Sequence, residues 1–338
     1  MSSAIGKVYA SLLDREFQRE LFGGLPGFQR KGTGFIAGCP FHDEALPTLV
    51  IYGDRPEYFC FVCSSRGDWI EYLRQVQKMS FEDSSALLAR ESGIEHAGYP
   101  LMVWEHELAT TRILETRMAS FVAELWSPPG EESLRYLYAR GYSTGEIRGM
   151  GLGHFPGHDK TLPVLPVPGL VIPYRDVSGR LMGLVHRTTR EDGPGSYAPL
   201  TSMEGLDDVP YLLYRSRGQT DIIVVEGFFD ALLLDQVRLK PVMGVGNGGL
   251  TAGMLETAAS FGARHFILAL GNGRRQRAST AQAADLVRSR GMASSILPIP
   301  LPYKDLDAYI RMTCLDHFRT LLKRAMKPEK WLAEHTVV

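Results

Sequence analysis

The clearest pattern of apolar and polar positions lies at Asp221-Ile-Ile-Val-Val-Glu-Gly-Phe-Phe-Asp230. Four apolar, β-branched residues in a row, with no polar alternation, predict a strand buried on both faces, as in a parallel sheet. Glu226 stands where that strand ends, and Gly227 permits a tight turn. A helix-like apolar pattern follows over 228–237. Further apolar runs at 242–245, 265–270 and 295–299 alternate with helical patterns at 251–260, which Thr251 caps, and at 280–290. Such alternation predicts a doubly wound parallel sheet. Three loops then leave one edge of it: Glu226-Gly227, Gly271-Asn272-Gly273, and Tyr303-Lys304-Asp305-Leu306-Asp307. Open α/β sheets bind ligands at such an edge.

The upstream half mixes short strands with helices. Apolar residues at 48–52 and 58–59 flank Gly53-Asp54-Arg55-Pro56 and predict a β-hairpin. Gly67-Asp68 opens a helix through Trp69, Ile70, Tyr72 and Leu73, and Ser80 caps another. Residues 95–100 carry Gly and Pro and read as a boundary; a long helix follows over about 101–126. Leu134-Arg-Tyr-Leu-Tyr-Ala-Arg140-Gly141 reads as a helix that leads to a strand near 151–155, and 159–168 as a Pro-rich loop. Residues 170–187 form a strand, a turn at Asp176-Val-Ser-Gly179 and a second strand. The tail from 315 is one or two amphipathic helices with Lys323, Arg324, Lys327 and Lys330.

Composition adds limits rather than detail. The chain has 338 residues, enough for two or three domains, and its 44% apolar and 22% charged content is ordinary for a globular protein. A net charge of −1 means that any nucleic-acid surface has to be local. Four Cys do not make a disulfide framework in a chain this long. There is no signal-peptide pattern and no apolar run of membrane-spanning length, so the expectation is a soluble, cytoplasmic protein.

Three of the four Cys crowd together with a His: Cys39-Pro-Phe-His42, then seventeen residues, then Cys60-Phe-Val-Cys63. Each pair forms a knuckle that aims two soft ligands at one point, and the hairpin between them brings the knuckles together. Cys₃His is a closed tetrahedral set, which suits structural Zn²⁺. Cys314 lies apart and reads as a core thiol. Phe41, Tyr58, Phe59 and Phe61 offer rings for stacking on bases or, for most of them, hairpin core.

Cys39-Pro-Phe-His-Asp-Glu, Cys60-Phe-Val-Cys-Ser-Ser-Arg-Gly-Asp-Trp-Ile and the Ala-Leu-Leu-Ala run at 86–89 resemble the zinc-binding domain of bacterial-type DNA primases, the CHC2 type. The Arg140-Gly141 helix end, the hairpin ending at Arg187 and the segment Tyr211-Leu-Leu-Tyr214 resemble the amino-terminal part of the primase core. From 221 onward the chain is similar to a Toprim domain. The resemblance runs over about 34–311. It implies an α+β multidomain protein: a zinc-ribbon-like domain at 1–95, a mixed α+β part at 100–218, an α/β Toprim domain with a parallel sheet at 219–312, and a helical tail at 313–338. It implies acids Glu226, Asp230, Asp305 and Asp307 holding Mg²⁺ or Mn²⁺ for phosphoryl transfer. It also implies template contacts from Arg187, Arg140 and Tyr197. The Lys that the family places before this Tyr is Ser196 here, so one phosphate contact is missing.

One departure bears on activity. Where the family's third strand ends in Asp-x-Asp, this chain has Gly271-Asn272-Gly273, followed by Arg274-Arg275-Gln276-Arg277. Asn272 offers only an uncharged carbonyl oxygen, and Arg274 and Arg275 suit a nucleic-acid phosphate. Asp305 and Asp307 have a second reading, as caps of the helix that follows. Two functions are therefore expected side by side. The first is a primase that binds single-stranded DNA and makes short RNA primers from ribonucleotides. The second is a catalytically impaired, zinc-finger and Toprim nucleic-acid-binding accessory protein. A Toprim nuclease fits the amino-terminal half less well. The replicative primases continue into a helicase-binding domain. The resemblance thus implies a phage or mobile-element version, or one part of a split system with a replicative helicase as a separate chain.

Overall fold

The computed structural model describes residues 4–94, 101–157, 167–189, 197–203, 206, 208–237, 241–246 and 248–335. The boundary expected at 95–100, most of the Pro-rich loop, Ser196 and Asn247 lie outside the described residues. The chain packs as two units, one of residues 2–113 with 175–182, the other of 114–174 with 183–338.

The amino-terminal unit begins with α1 (Ala4–Leu12) and α2 (Arg15–Phe22). Neither was expected, although Ile5, Val8, Tyr9 and Leu12 share one helical face and Asp14 accepts from Phe17 N at 2.7 Å as an N-cap. Five antiparallel strands follow in sequential order: β1 (Gln29–Lys31), β2 (Gly34–Ala37), β3 (Leu49–Ile51), β4 (Glu57–Cys60) and β5 (Arg66–Asp68). The expected hairpin is β3–β4. Asp68 caps α3 (Trp69–Gln75), accepting from Glu71 N at 2.8 Å, and Ser80 caps α4 (Phe81–Ser92), accepting from Asp83 N at 3.0 Å. Helix α5 (Leu101–Leu125) starts in this unit. The core joins Ile5, Tyr9, Phe22, Phe35, Tyr58 and Trp69, with Tyr9 edge-on to Trp69 at 5.6 Å.

Tyr58 is therefore core, as expected of most of the hairpin rings, whereas Phe61 is 68% exposed. Residues 175–182 also belong to this unit. Asp176 organises their turn by accepting from Ser178 N at 2.9 Å and Arg180 N at 3.1 Å. Arg180, which follows this turn, is buried between Asp176 (3.4 Å) and Glu107 (3.7 Å). A buried guanidinium persists where carboxylates pair with it.

The second unit holds the rest of α5, then α6 (Glu131–Ala139) and α7 (Thr144–Met150). A four-stranded sheet follows in the order β6 (Gly153–Phe155), β7 (Gly169–Arg175), β8 (Leu181–Thr188), β9 (Tyr197–Pro199). Next come β10 (Asp221–Val225), α8 (Phe228–Val237), β11 (Val242–Gly244), α9 (Ala252–Ser260), β12 (His265–Ala269), α10 (Arg274–Ser289), β13 (Ala293–Ile296), α11 (Leu306–Met312), α12 (Leu315–Leu322) and α13 (Pro328–His335). The four strands β11-β10-β12-β13 form a parallel sheet. Ile222 to Val225 are fully buried, as their unbroken apolar run requires. Val225 pairs with Gly244 on one side and Ala269 on the other. That register sets Glu226 beside the loop that leaves β12.

Two expectations need correction here. Helix α10 starts at Arg274, six residues before the expected 280, so Arg274, Arg275 and Gln276 form its first turn and not a loop. Its N-cap is Gly273, which carries no capping side chain, so the sequence signal was missing. Cys314 is not a core thiol: it is exposed at the N-cap of α12, 3.1 Å from His317 Nδ1.

Candidate functional site

Cys39 follows β2 and Cys60 closes β4, so the sheet delivers one knuckle from each strand end. The four ligand atoms of Cys39, His42, Cys60 and Cys63 lie within 4.8 Å of one another, the one such group of three or more among the described residues. Cys39 Sγ is 3.7 Å from Cys63 Sγ. Two Zn–S bonds of about 2.3 Å at a tetrahedral angle span about 3.8 Å, so the spacing fits zinc and excludes a disulfide. His42 Nδ1 points toward Cys60 Sγ at 3.9 Å, while its Nε2 lies 3.1 Å from Glu44 Oε2. Glu44 in turn accepts from Cys39 N at 2.8 Å and Thr48 N at 3.1 Å. This carboxylate fixes the imidazole so that Nδ1 faces the metal position. Ser65 Oγ sits 3.0 Å from the sulfur of Cys63, where it can donate to a thiolate, while Thr48 Oγ1, 3.3 Å from the sulfur of Cys60, donates to Glu44 Oε2. The residues present fit a structural zinc ion.

A second site lies in the other unit, in a cavity of about 630 Å³ at the carboxyl edge of β10 and β12. It is lined by Arg140, Arg187, Tyr197, Glu226, Asp230, Arg275, Asp305 and Asp307, which the sequence singled out, and by Phe229, Gln276 and Lys304, which it did not. Arg274 is exposed and does not line it. One wall is made of guanidinium groups on rings. Arg187 lies 4.5 Å from the Tyr197 ring centre and donates from Nε to Tyr136 Oη at 3.0 Å. Arg140 lies 4.6 Å over Phe229 and also donates to Tyr136 Oη, at 2.9 Å. Tyr136 sits one helical turn before Arg140 on α6, a spacing that marks it in retrospect. Burial pushes the Tyr197 hydroxyl up to about 12, so it stays protonated beside Arg187.

The acids on the other wall already have protein partners. Asp307 is buried, accepts from Tyr142 Oη at 2.6 Å, and pairs with Arg140 and with Arg311 (3.0 Å). Asp305 caps α11, accepting from Ala308 N at 2.8 Å. Asp230 accepts from Asp307 N at 2.8 Å, and a Cβ on Gly227 would stand 2.6 Å from its other oxygen. Gly227 leaves room for the Asp230 carboxylate; its φ is not positive, so the turn itself does not require glycine. Glu226 Oε2 accepts from the amide of Gln276 at 3.0 Å. Asn272 turns its amide away, to the carbonyls of Ile299 (2.5 Å) and Tyr303 (2.9 Å). No three of these carboxylates meet within coordinating reach of one another among the described residues. The donors do not fit a preassembled cluster of two or three divalent cations.

Burial, and then the neighbouring Asp305 carboxylate, push Asp230 up to about 8. An acid raised on folding contributes stability below its ordinary range, near 4, and loses it as pH rises through the folded value. Asp230→Asn keeps an oxygen for Asp307 N and removes the titration. The parent will therefore lose stability relative to this variant between about pH 4 and about pH 8, read as the difference in urea midpoints.

The zinc ribbon and the parallel-sheet cavity together give an α+β fold like that of the zinc-binding and catalytic domains of primases. A family profile, CHC2 zinc finger, matches residues 14–99. The DNA primase of Chlamydia trachomatis is 24% identical over 347 positions, covering 91% of this chain and 57% of that protein. The DNA primase of Thermotoga maritima is 23% identical, covering 90% of this chain and 59% of its own length. In structure, the zinc-binding and RNA polymerase domains of the Aquifex aeolicus primase match 99% of this chain and 88% of that one, with a TM-score of 0.62 and 20% identity. A DnaG primase catalytic domain bound to ssDNA matches 68% of this chain and 83% of its own, with a TM-score of 0.58 and 18% identity. The chain is similar to these bacterial DNA primases and spans somewhat over half of their length. No helix among the described residues is long and apolar enough to cross a membrane.

Proposed function

We propose that this protein engages single-stranded DNA as template and joins ribonucleotides into short RNA primers for DNA replication. The observation that carries the reading is the cavity itself. It sets Arg140, Arg187 and Tyr197, cations and a ring suited to a strand or a nucleotide, opposite Glu226, Asp230 and Asp305. In this reading Glu226 is the acid nearest the chemistry, Asp305 lies beside it, and Asp307 holds Arg140 in place. A replicative helicase, supplied as a separate chain, is the partner that primer synthesis would call for. A divalent cation, Mg²⁺ or Mn²⁺, belongs to the same proposal, with no all-protein site to hold a cluster of them.

A second reading, strand binding without synthesis, is favoured by the contact of Gln276 with Glu226 and by Gly271. The test is primer synthesis on single-stranded DNA with labelled ribonucleotides, in Mg²⁺ and in Mn²⁺. Activity that Glu226→Ala lowers by about a hundredfold or more supports the first reading, since loss of one group facing developing charge has that scale. A silent parent that still binds the strand supports the second.

The variant Gly271→Asp/Gly273→Asp, which writes the missing acids back, will not repair the site. Gly271 has φ +107°, and a Cβ there would stand 3.1 Å from Lys304 O and Gln276 Cγ. A Cβ on Gly273 would overlap Gln276 Oε1. The strained position alone costs about 1–3 kcal/mol, so the expected result is a lower melting temperature with no gain in primers.

A further inference from the structure

The balance of charge in the cavity differs from that of an acid-lined cation site. Arg140, Arg187, Arg275 and Lys304 bring four cations to its lining. Each facing acid is already met by protein donors: Asp307 by two guanidinium groups and Tyr142, Asp230 by Asp307 N, Asp305 by Ala308 N, and Glu226 by the Gln276 amide. The Gln276 amide stands at Glu226 where a bound cation would otherwise neutralise it. Gly271, at φ +107° and 3.1 Å from Lys304 O, cannot carry an acid on this backbone without strain, and a side chain at Gly273 would displace the Gln276 amide. The cavity offers three guanidinium groups and one ammonium group, and guanidinium groups bind phosphate oxygens through paired, charge-assisted hydrogen bonds. About 630 Å³ is room for a nucleotide, and Tyr197 and Phe229 line the same space.

We propose that this cavity binds the triphosphate of a nucleotide directly on Arg187, Arg275 and Lys304, with no divalent cation needed for binding. The inference rests on the reading of the cavity as a nucleotide site. Free triphosphate carries more charge than its Mg²⁺ complex, so Mg²⁺ leaves the affinity unchanged or weakens it. The phosphodiester of a DNA strand shares this chemistry; the triphosphate is favoured because it concentrates its charge within one cavity.

The test is calorimetric titration of the zinc-loaded full chain with ATP, inorganic tripolyphosphate and oligo(dT), in resin-treated Mg²⁺-free buffer and again with Mg²⁺. No chelator is used, so that zinc stays bound. The expected result is that ATP and tripolyphosphate bind in Mg²⁺-free buffer at least as tightly as with Mg²⁺. Arg275→Ala, at an exposed position in the first turn of α10, weakens both by about tenfold, the scale of one charge-assisted contact. Binding seen only with Mg²⁺, an Arg275→Ala variant equal to the parent, or oligo(dT) as the sole ligand would overturn the proposal. Cation-free ATP binding in a protein that makes no primers keeps this inference and removes primer synthesis. Primers made with strictly Mg²⁺-dependent ATP binding do the reverse.

Discussion

Removing zinc from Cys39, His42, Cys60 and Cys63 will dismantle the five-stranded sheet of the amino-terminal unit. Cys60 is fully buried at the end of β4, and its neighbour two residues back, Tyr58, is core. The knuckles join the loop after β2 to the turn after β4, and no disulfide is present to hold them otherwise. Structural zinc contributes about 10–16 kcal/mol in isolated zinc-finger peptides. Here the helices α1 to α4 share the core, so the loss will be a fraction of that, yet enough to unfold a small sheet. The measurements are zinc content, expected at about one ion per chain, and the near-ultraviolet signal of buried Trp69. Cys60→Ser should lower both, and acidification should release the ion as the thiolates gain protons. An unchanged Trp69 signal in zinc-free protein would show that the sheet stands without the metal.

Asp307→Ala is expected to destabilise the second unit by about 3–5 kcal/mol, the scale for breaking a buried ion pair from one side. The carboxylate is 1% exposed, and its loss leaves Arg140, Arg311 and the Tyr142 hydroxyl without their shared acceptor. Arg140 also stacks on Phe229, so the cavity wall should loosen together with the fold. Asp305→Ala is the control. It removes an N-cap, at about 0.5–2 kcal/mol. Urea unfolding of both variants separates the two roles. Equal effects would mean that Asp307 too is no more than a helix-start residue.

Most of the framework was legible because its signals are local. The CxxH and CxxC knuckles, the caps at Asp68, Ser80 and Thr251, and the unbroken run of β10 each state their structure within a few residues. Glu226, Asp305 and Asp307 followed from loops leaving one sheet edge, whereas Arg140, Arg187 and Tyr197 came only from the resemblance to primases. Other features were not legible, for different physical reasons. The start of α10 was hidden because its N-cap is a glycine without a side chain to signal it. Gln276 was passed over because an uncharged amide belongs to no catalytic pattern, and only its 3.0 Å contact with Glu226 gives it meaning. Arg180 reads as a surface cation in any hairpin turn; its burial depends on Glu107, 73 residues earlier in the chain. The double duty of Asp307, as helix-start residue and as anchor of two arginines, likewise needs residues 140 and 311 in view.

The turn around Asp176 and Arg180 has a consequence for how the polypeptide comes apart. Its residues belong to the amino-terminal unit, while the strands on either side run on into the other, so the backbone passes between the units at 113–114, 174–175 and 182–183. A single proteolytic nick within α5 therefore leaves residues 175–182 on the carboxy-terminal piece, cut off from the rest of their own unit. The amino-terminal piece released by such a nick lacks the turn that pairs Arg180 with Glu107.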